Sequence, residues 1–260
     1  MRLKDKIVVV TGGASGIGRA LAWRFTSEGA RHVVVVDIDA DGARQVAAEV
    51  GGTATPADVT QGGEVARVVE ETEARVGPID LFCSNAGVFV HGGAEVSDDR
   101  WRSIWEVNVM AHIHAVRAVL PKMLSRGHGY LLHTASAAGL LSQIGSAPYS
   151  VTKHAAVGLA EWIAITYGDQ GIGVSVLCPQ AVRTPMTAGV NAGTVSALDG
   201  MLEPDQVADA VVAGLADERF LILPHPEVLE YMRRKTADYD RWLRGMRKLK
   251  SRFPDVSELG

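Results

Sequence analysis

Residues 7–18 read IVVVTGGASGIG, a branched apolar run and a threonine leading into glycines 12, 13, 16 and 18. The chain continues as RALAWRF, with apolar side chains at helical spacing, and then enters a second branched run, HVVVVD (32–37). Strand, glycine turn, helix and strand in this order close as a right-handed βαβ crossover between parallel neighbours. The alternation persists, predicting further strands over 52–57, 79–85, 129–136 and 173–179 and a weaker one over 219–223. Helices are predicted over 16–28, 39–50, 61–76, 98–126, 147–169 and 204–216. An α/β fold follows, a seven-stranded parallel sheet with helices on both faces. No repeat or Pro/Gly/Ser-rich linker interrupts it, so residues 1–260 are expected to form one domain.

The tail departs from the alternation. Leu229, Met232, Tyr239, Trp242, Leu243, Met246 and Leu249 follow a three/four spacing, predicting one long helix over about 226–250. Such a stripe needs a partner, either the body of the fold or a second subunit. Residues 225–252 carry nine Lys/Arg against four Asp/Glu, in a chain whose net charge is −4. A basic segment of this kind is read as a solvated face or an interface, and the overall balance argues against nucleic-acid binding. Hydrophobic residues make up 47% of the chain, enough for a packed core. Cys83 and Cys178 each end an apolar run and are expected to be buried free thiols. Neither a signal peptide nor a membrane span is read from the apolar runs, so a soluble, cytoplasmic protein is expected.

The glycine turn carries chemistry as well as topology. Gly12, Gly16 and Gly18 let the backbone approach a pyrophosphate, which then sits among free N–H groups at a helix N-terminus. The second strand ends in Asp37, nineteen residues after Gly18, where a carboxylate accepts from ribose hydroxyls and repels a 2′-phosphate. This is the pattern of a doubly wound Rossmann fold. With Ser15 in the turn, Ile38 after the acid and Arg31 ahead of the strand, no base is placed for a 2′-phosphate. NAD is expected rather than NADP.

PYSVTKHAAVGLAEW (148–162) puts Tyr149 and Lys153 four apart on one helical face, among apolar neighbours. A phenol is a poor base at neutral pH, and a nearby ammonium in a low-dielectric cleft, together with a positive nicotinamide ring, favours its phenolate. Ser136 ends a strand, where parallel sheets place their ligand crevice, and can hold a substrate oxygen beside the phenol. SNAGV (84–88) ends another strand, and Asn108 is a lone amide within the apolar WEVNVMAHIHAV.

Taken in order, these residues resemble the short-chain dehydrogenase/reductase family in its common single-domain form. The TGxxxGIG motif matches as Thr11, Gly12, Gly16, Ile17 and Gly18, and the NNAG motif as Ser84, Asn85, Ala86 and Gly87, with Ser replacing the first Asn. The Asp-Val after the third strand appears as Asp58-Val59, which implies that Asp58 contacts the adenine amino group. The catalytic tetrad maps onto Asn108, Ser136, Tyr149 and Lys153. The resemblance implies that Tyr149 exchanges the alcohol proton and Ser136 orients the substrate oxygen. Lys153 would lower the tyrosine pKa and hold the nicotinamide ribose, and Asn108 would keep a relay water in place.

The PG motif after the sixth strand reads Pro179-Gln180 here, making Gln180 a candidate substrate contact. Val182 and Thr184 match the continuation that holds the nicotinamide carboxamide in the family. The pocket is expected to draw on Phe89, Val90, Ala138, Leu140, Leu141, Gln143, Ile144, Gln180, Ala181 and Met186, which suits a hydrophobic secondary alcohol or ketone. His91, His112, His114, His128, His133, His154 and His225 are scattered over different elements, so no metal site is expected. The expected assembly is a homodimer through 98–126 and 147–169, with a homotetramer open. Two other functions remain in view. One is a 3-oxoacyl thioester reductase or 3-hydroxyacyl dehydrogenase whose Arg233 and Arg234 attract a phosphorylated carrier; the other is a non-catalytic NAD-binding regulator.

Overall fold

Branched residues fill the sheet because both of its faces are covered. In the computed structural model, which describes residues 1–188 and 197–252, β1 (Ile7–Thr11) is buried along its whole length. Successive side chains point to opposite faces, so Val8 and Val10 enter one hydrophobic layer and Val9 enters the other. β2 (His32–Val36) divides its valines in the same way. The remaining strands are β3 (Thr53–Ala54), β4 (Leu81–Ser84), β5 (Gly129–Thr134), β6 (Ile172–Leu177) and β7 (Leu221–Ile222). All pair in parallel in the order β3-β2-β1-β4-β5-β6-β7. The order reverses between β1 and β4, which opens a crevice at their carboxyl ends.

The first layer is packed by α1 (Gly16–Ser27), α2 (Ala40–Glu49) and α8 (Pro204–Ala216), through Leu21, Phe25, Val46 and Val211 among others. The second is packed by α3 (Gly62–Arg75), α5 (Ala111–Arg126) and α7 (Ala147–Tyr167), through Val69, Val119 and Ile163. Ser146 caps α7 by accepting from the Tyr149 N–H, and Pro148 sits in the first turn, where a missing N–H costs nothing.

Four expectations change in detail. The strand predicted over 52–57 shrinks to Thr53–Ala54, because it pairs on one side only, as the sheet edge. The helix predicted over 98–126 is broken into α4 (Asp98–Trp105) and α5 by a π-helical turn, Glu106–Met110, which carries Asn108. A short helix, α6 (Ala138–Leu141), occupies a stretch for which no element was predicted. The single tail helix becomes α9 (Glu227–Ala237) and α10 (Tyr239–Lys250), because Asp238 turns extended and its carboxylate caps α10 at Arg241 N. α9 packs Val228 against Ala137 and Leu141, with Trp242 of α10 at the margin of that cluster. Among the described residues no helix is long and apolar enough to cross a membrane.

Candidate active site

The crevice begins with the glycine turn. Gly12 has φ 64°, and a Cβ there would lie 2.8 Å from Ala86 Cα. A Cβ on Gly18 would lie 2.0 Å from the Gly12 carbonyl oxygen, so the first turn of α1 can lie this close to the turn only without a side chain. The turn is fastened from the β4 side. Asn85 donates to the Thr11 carbonyl at 3.0 Å and accepts from the Thr134 hydroxyl at 3.0 Å. The Thr11 hydroxyl in turn accepts the N–H groups of Asn85 and Ala86 at 2.9 and 3.2 Å. Ser15 caps α1 without a side-chain hydrogen bond, leaving its hydroxyl open beside the helix N-terminus. Ile17 packs partly against the first layer.

Asp37, just past β2, accepts from Ala14 N and Asp39 N at 3.0 Å each. Its carboxylate is thereby fixed beside the glycine turn, while Ile38 is 74% exposed. Asp58 turns one carboxylate oxygen inward to the Thr60 N–H and hydroxyl, at 2.9 and 2.8 Å. Val59 is partly buried, and its carbonyl meets His114 Nδ1 at 3.2 Å. From the far side, Thr184 Cγ2 lies 3.1 Å from where a Gly16 Cβ would be. Val182 bridges to Leu202 and accepts the Thr187 hydroxyl at 2.6 Å. A cradle that added Cβ atoms would fill, with a fixed carboxylate at one edge, fits a dinucleotide.

The four predicted reactive residues converge next to this cradle. Lys153 is 3% exposed, and its ammonium donates to the Thr134 carbonyl at 3.0 Å. It stands 5.5 Å from the Tyr149 ring centroid. A Cβ on Gly87 would lie 3.3 Å from Asn108 Oδ1 and 3.4 Å from Lys153 Nζ, so this glycine keeps the space between them open. Ser136 donates to the Pro179 carbonyl at 3.3 Å and accepts from Ala138 N at 3.1 Å. Asn108 is wholly buried, bonded to both backbone groups of Val88 and to the Thr152 hydroxyl.

The electrostatics differ from expectation. Burial pushes the Tyr149 phenol up to about 12, opposed by its hydrogen bond with Ser136 and reinforced by Cys178. Burial likewise pushes Lys153 down to about 8. Desolvation is the largest cause of both shifts, and the Ser136 hydrogen bond lowers the phenol by less than burial raises it. Cys178, a buried free thiol like Cys83, is itself pushed up to about 12 by burial.

The predicted pocket residues are gathered only in part. Phe89 tilts over Tyr149 with ring centroids 4.8 Å apart, and His91 meets Phe89 edge-on at 4.6 Å. Gln143 donates its N–H to the Ser150 hydroxyl at 2.7 Å, on the residue after Tyr149. The Gln180 N–H donates to His225 Nδ1 at 3.2 Å, and its carboxamide oxygen is buried without a partner. Met186 is 45% exposed, on a short turn after Thr184. Among the described residues no group of three or more His, Cys, Asp or Glu is placed to hold a metal. Two contributors went unread. The Thr134 carbonyl is backbone and leaves no trace in sequence. Thr152 does leave one, a polar residue at a position its helix buries.

Residues 6–194 match the short chain dehydrogenase family. The chain is 38% identical over 236 residues to 1-deoxy-11-beta-hydroxypentalenate dehydrogenase of Streptomyces exfoliatus, covering 87% of this chain and 86% of that one. It is 35% identical to meso-2,3-butanediol dehydrogenase of Serratia marcescens, covering 84% and 90% respectively. Among solved structures, a short chain dehydrogenase/reductase from Burkholderia phymatum in complex with NAD superposes with a TM-score of 0.83 at 30% identity, covering 92% and 96%.

Proposed function

Because the chain belongs to the short-chain dehydrogenase family, we propose that it interconverts a hydrophobic secondary alcohol and its ketone, with NAD as the cofactor and Tyr149 as the acid/base. The observation that carries this reading is the convergence of Ser136, Tyr149 and Lys153 beside a glycine cradle whose edge is the fixed carboxylate of Asp37. When bound, the nicotinamide accepts or returns the hydride and adds a positive charge in its oxidised form.

Each residue of this chain then has a task. Gly12, Ser15, Gly16, Ile17 and Gly18 hold the pyrophosphate against the start of α1, with Asn85, Ala86 and Gly87 alongside. Asp37 and Ile38 hold the adenosine ribose, and the carboxylate excludes a 2′-phosphate by charge. Asp58 and Val59 border the adenine, while Pro179, Val182 and Thr184 close the nicotinamide end. Ser136 fixes the substrate oxygen, and Tyr149 takes the hydroxyl proton in oxidation or gives it in reduction. Lys153, anchored on Thr134, holds the nicotinamide ribose. Asn108 fixes the loop after β4, on which Phe89 packs against the phenol. Ala138, Gln143 and Gln180 supply the substrate side.

Exposed Trp105, Val151, Trp162 and Ile165 lie on α4 and α7, and a second copy of the chain would cover them in a homodimer. Of the two arginines the thioester reading would use, Arg234 pairs with Glu230 at 2.9 Å and Arg233 is exposed. The test is reduced-nicotinamide absorbance with NAD and NADP in parallel, over aliphatic, aryl and steroidal secondary alcohols. Turnover with NAD is the expected result, and NAD binding with no turnover on any alcohol would overturn the assignment.

A further inference from the structure

α10 buries none of its residues, and its Tyr239 and Leu243 stay 55% and 44% exposed. Its inner side faces the loop after α6 across a cavity of about 260 Å³, close to the lower end of small-ligand pockets, roughly 300–1,000 Å³. Leu141 and Ile144 form one wall, and Trp242, Leu243 and Met246 form the other. The charged groups that line it among the described residues are all cations, Lys235, Arg247 and Lys250. Lys235 is committed to the Leu140 carbonyl. Arg247 follows Leu243, and Lys250 follows Met246, by one helical turn, so each exposed cation extends the apolar face rather than opposing it.

One loop connects the cavity to the reactive centre. The loop it borders leads directly into α7, and Gln143 in that loop is bonded to Ser150, next to Tyr149. Ser142 holds the lip with φ 78°, a left-handed conformation that non-glycine residues seldom adopt.

We propose that this groove receives the apolar skeleton of a substrate that carries a carboxylate, with the carboxylate at Arg247 and Lys250 and the reacting carbon toward Tyr149. The inference rests on the oxidoreductase reading and specifies its substrate class. Apolar walls with two cations and no acid complement an amphipathic monoanion, and the arginine fork takes a carboxylate bidentately.

The test is calorimetric titration of the full chain with decanoate and with neutral 1-decanol, followed by turnover of 9-hydroxydecanoate and its methyl ester with NAD. Decanoate is expected to bind roughly fivefold more tightly than decanol, the preference shrinking as salt is raised. Arg247→Gln with Lys250→Gln should remove that preference and the matching preference in kcat/KM for acid over ester. Arg244→Gln with Lys248→Gln makes the same charge change off the groove and should keep both. Equal binding of acid and alcohol, or equal loss in the two double variants, overturns the proposal. Turnover of neutral alcohols without any acid preference removes the groove and leaves the oxidoreductase reading standing. The expected binding pattern with no turnover of any alcohol removes the substrate assignment together with that reading.

Discussion

Asn108 grips Val88 by both its polar groups, accepting the Val88 N–H at 2.9 Å and donating to the Val88 carbonyl at 3.0 Å. The π-helical turn is what aims the amide at that loop, and Thr152 receives its remaining donor at 3.2 Å. Asn108→Ala leaves the partly buried Val88 groups and the buried Thr152 hydroxyl without this partner and should cost about 1–3 kcal/mol in unfolding free energy, measured by urea titration. Turnover should fall as well, because the Phe89 loop loses its anchor. Unchanged stability would mean that Val88 finds other partners.

Tyr149→Phe keeps the ring against Phe89 and removes only the hydroxyl. Turnover should drop by at least ~100-fold, with NAD affinity within about twofold of the parent. Steady-state kinetics and a fluorescence titration separate the two effects.

Asp37→Ala removes the carboxylate that is held by Ala14 N and Asp39 N. NAD should bind about tenfold more weakly and discrimination against NADP should relax, since a charged acceptor is lost and a repulsion with it. Equal NAD affinity before and after the change would refute the cofactor assignment.

Acid should destabilise the fold through an imidazole pair that the proposed reaction does not use. His112 and His133 meet in the core with Nδ1 atoms 3.2 Å apart. Burial pushes His133 down to about 4 from its ordinary 6.5, and burial, then His133 and Lys153, hold His112 well below its own. Between those two values the unfolded chain binds protons that the folded chain refuses, so stability is lost as pH falls from 6.5 toward 4. From pH 7 to pH 5 the His133 contribution is a loss on the order of 2 kcal/mol. Urea melts of the parent should show it, and His112→Val with His133→Val should flatten the slope in that window.

Ile165 is 84% exposed and Trp162 55% on the outer face of α7. If a second copy covers this face, Ile165→Arg should convert a dimer to a monomer in sedimentation without altering the monomer's unfolding. An unchanged sedimentation coefficient would move the interface elsewhere.

The succession of strands and helices, the glycine cradle and the Tyr149–Lys153 pair were legible because each rests on local rules. Branched runs at period two, glycines where backbones must touch, and Tyr149 four residues before Lys153 all survive projection onto one dimension. The π-helical turn did not. Residues 98–126 carry an unbroken helical periodicity, and one extra residue per turn near Asn108 shifts it too little to see. The break in the tail had a local sign, Asp238 ahead of Tyr239, but the apolar stripe on both sides concealed it.

Sequence by itself settled the parallel α/β sheet and pointed to side chains for the crevice, since strand ends and helix faces are set by neighbours in the chain. Tertiary structure decided the energetics of those side chains. Helical spacing puts Tyr149 and Lys153 on one face, but burying both lifts one pKa to about 12 and lowers the other to about 8, and desolvation depends on what the rest of the chain packs around them. It also decided that α9 lies against α6 and that α10 leaves Arg247 and Lys250 facing an apolar groove. An amphipathic stripe states that it needs a partner, and only the folded chain shows how much of it finds one.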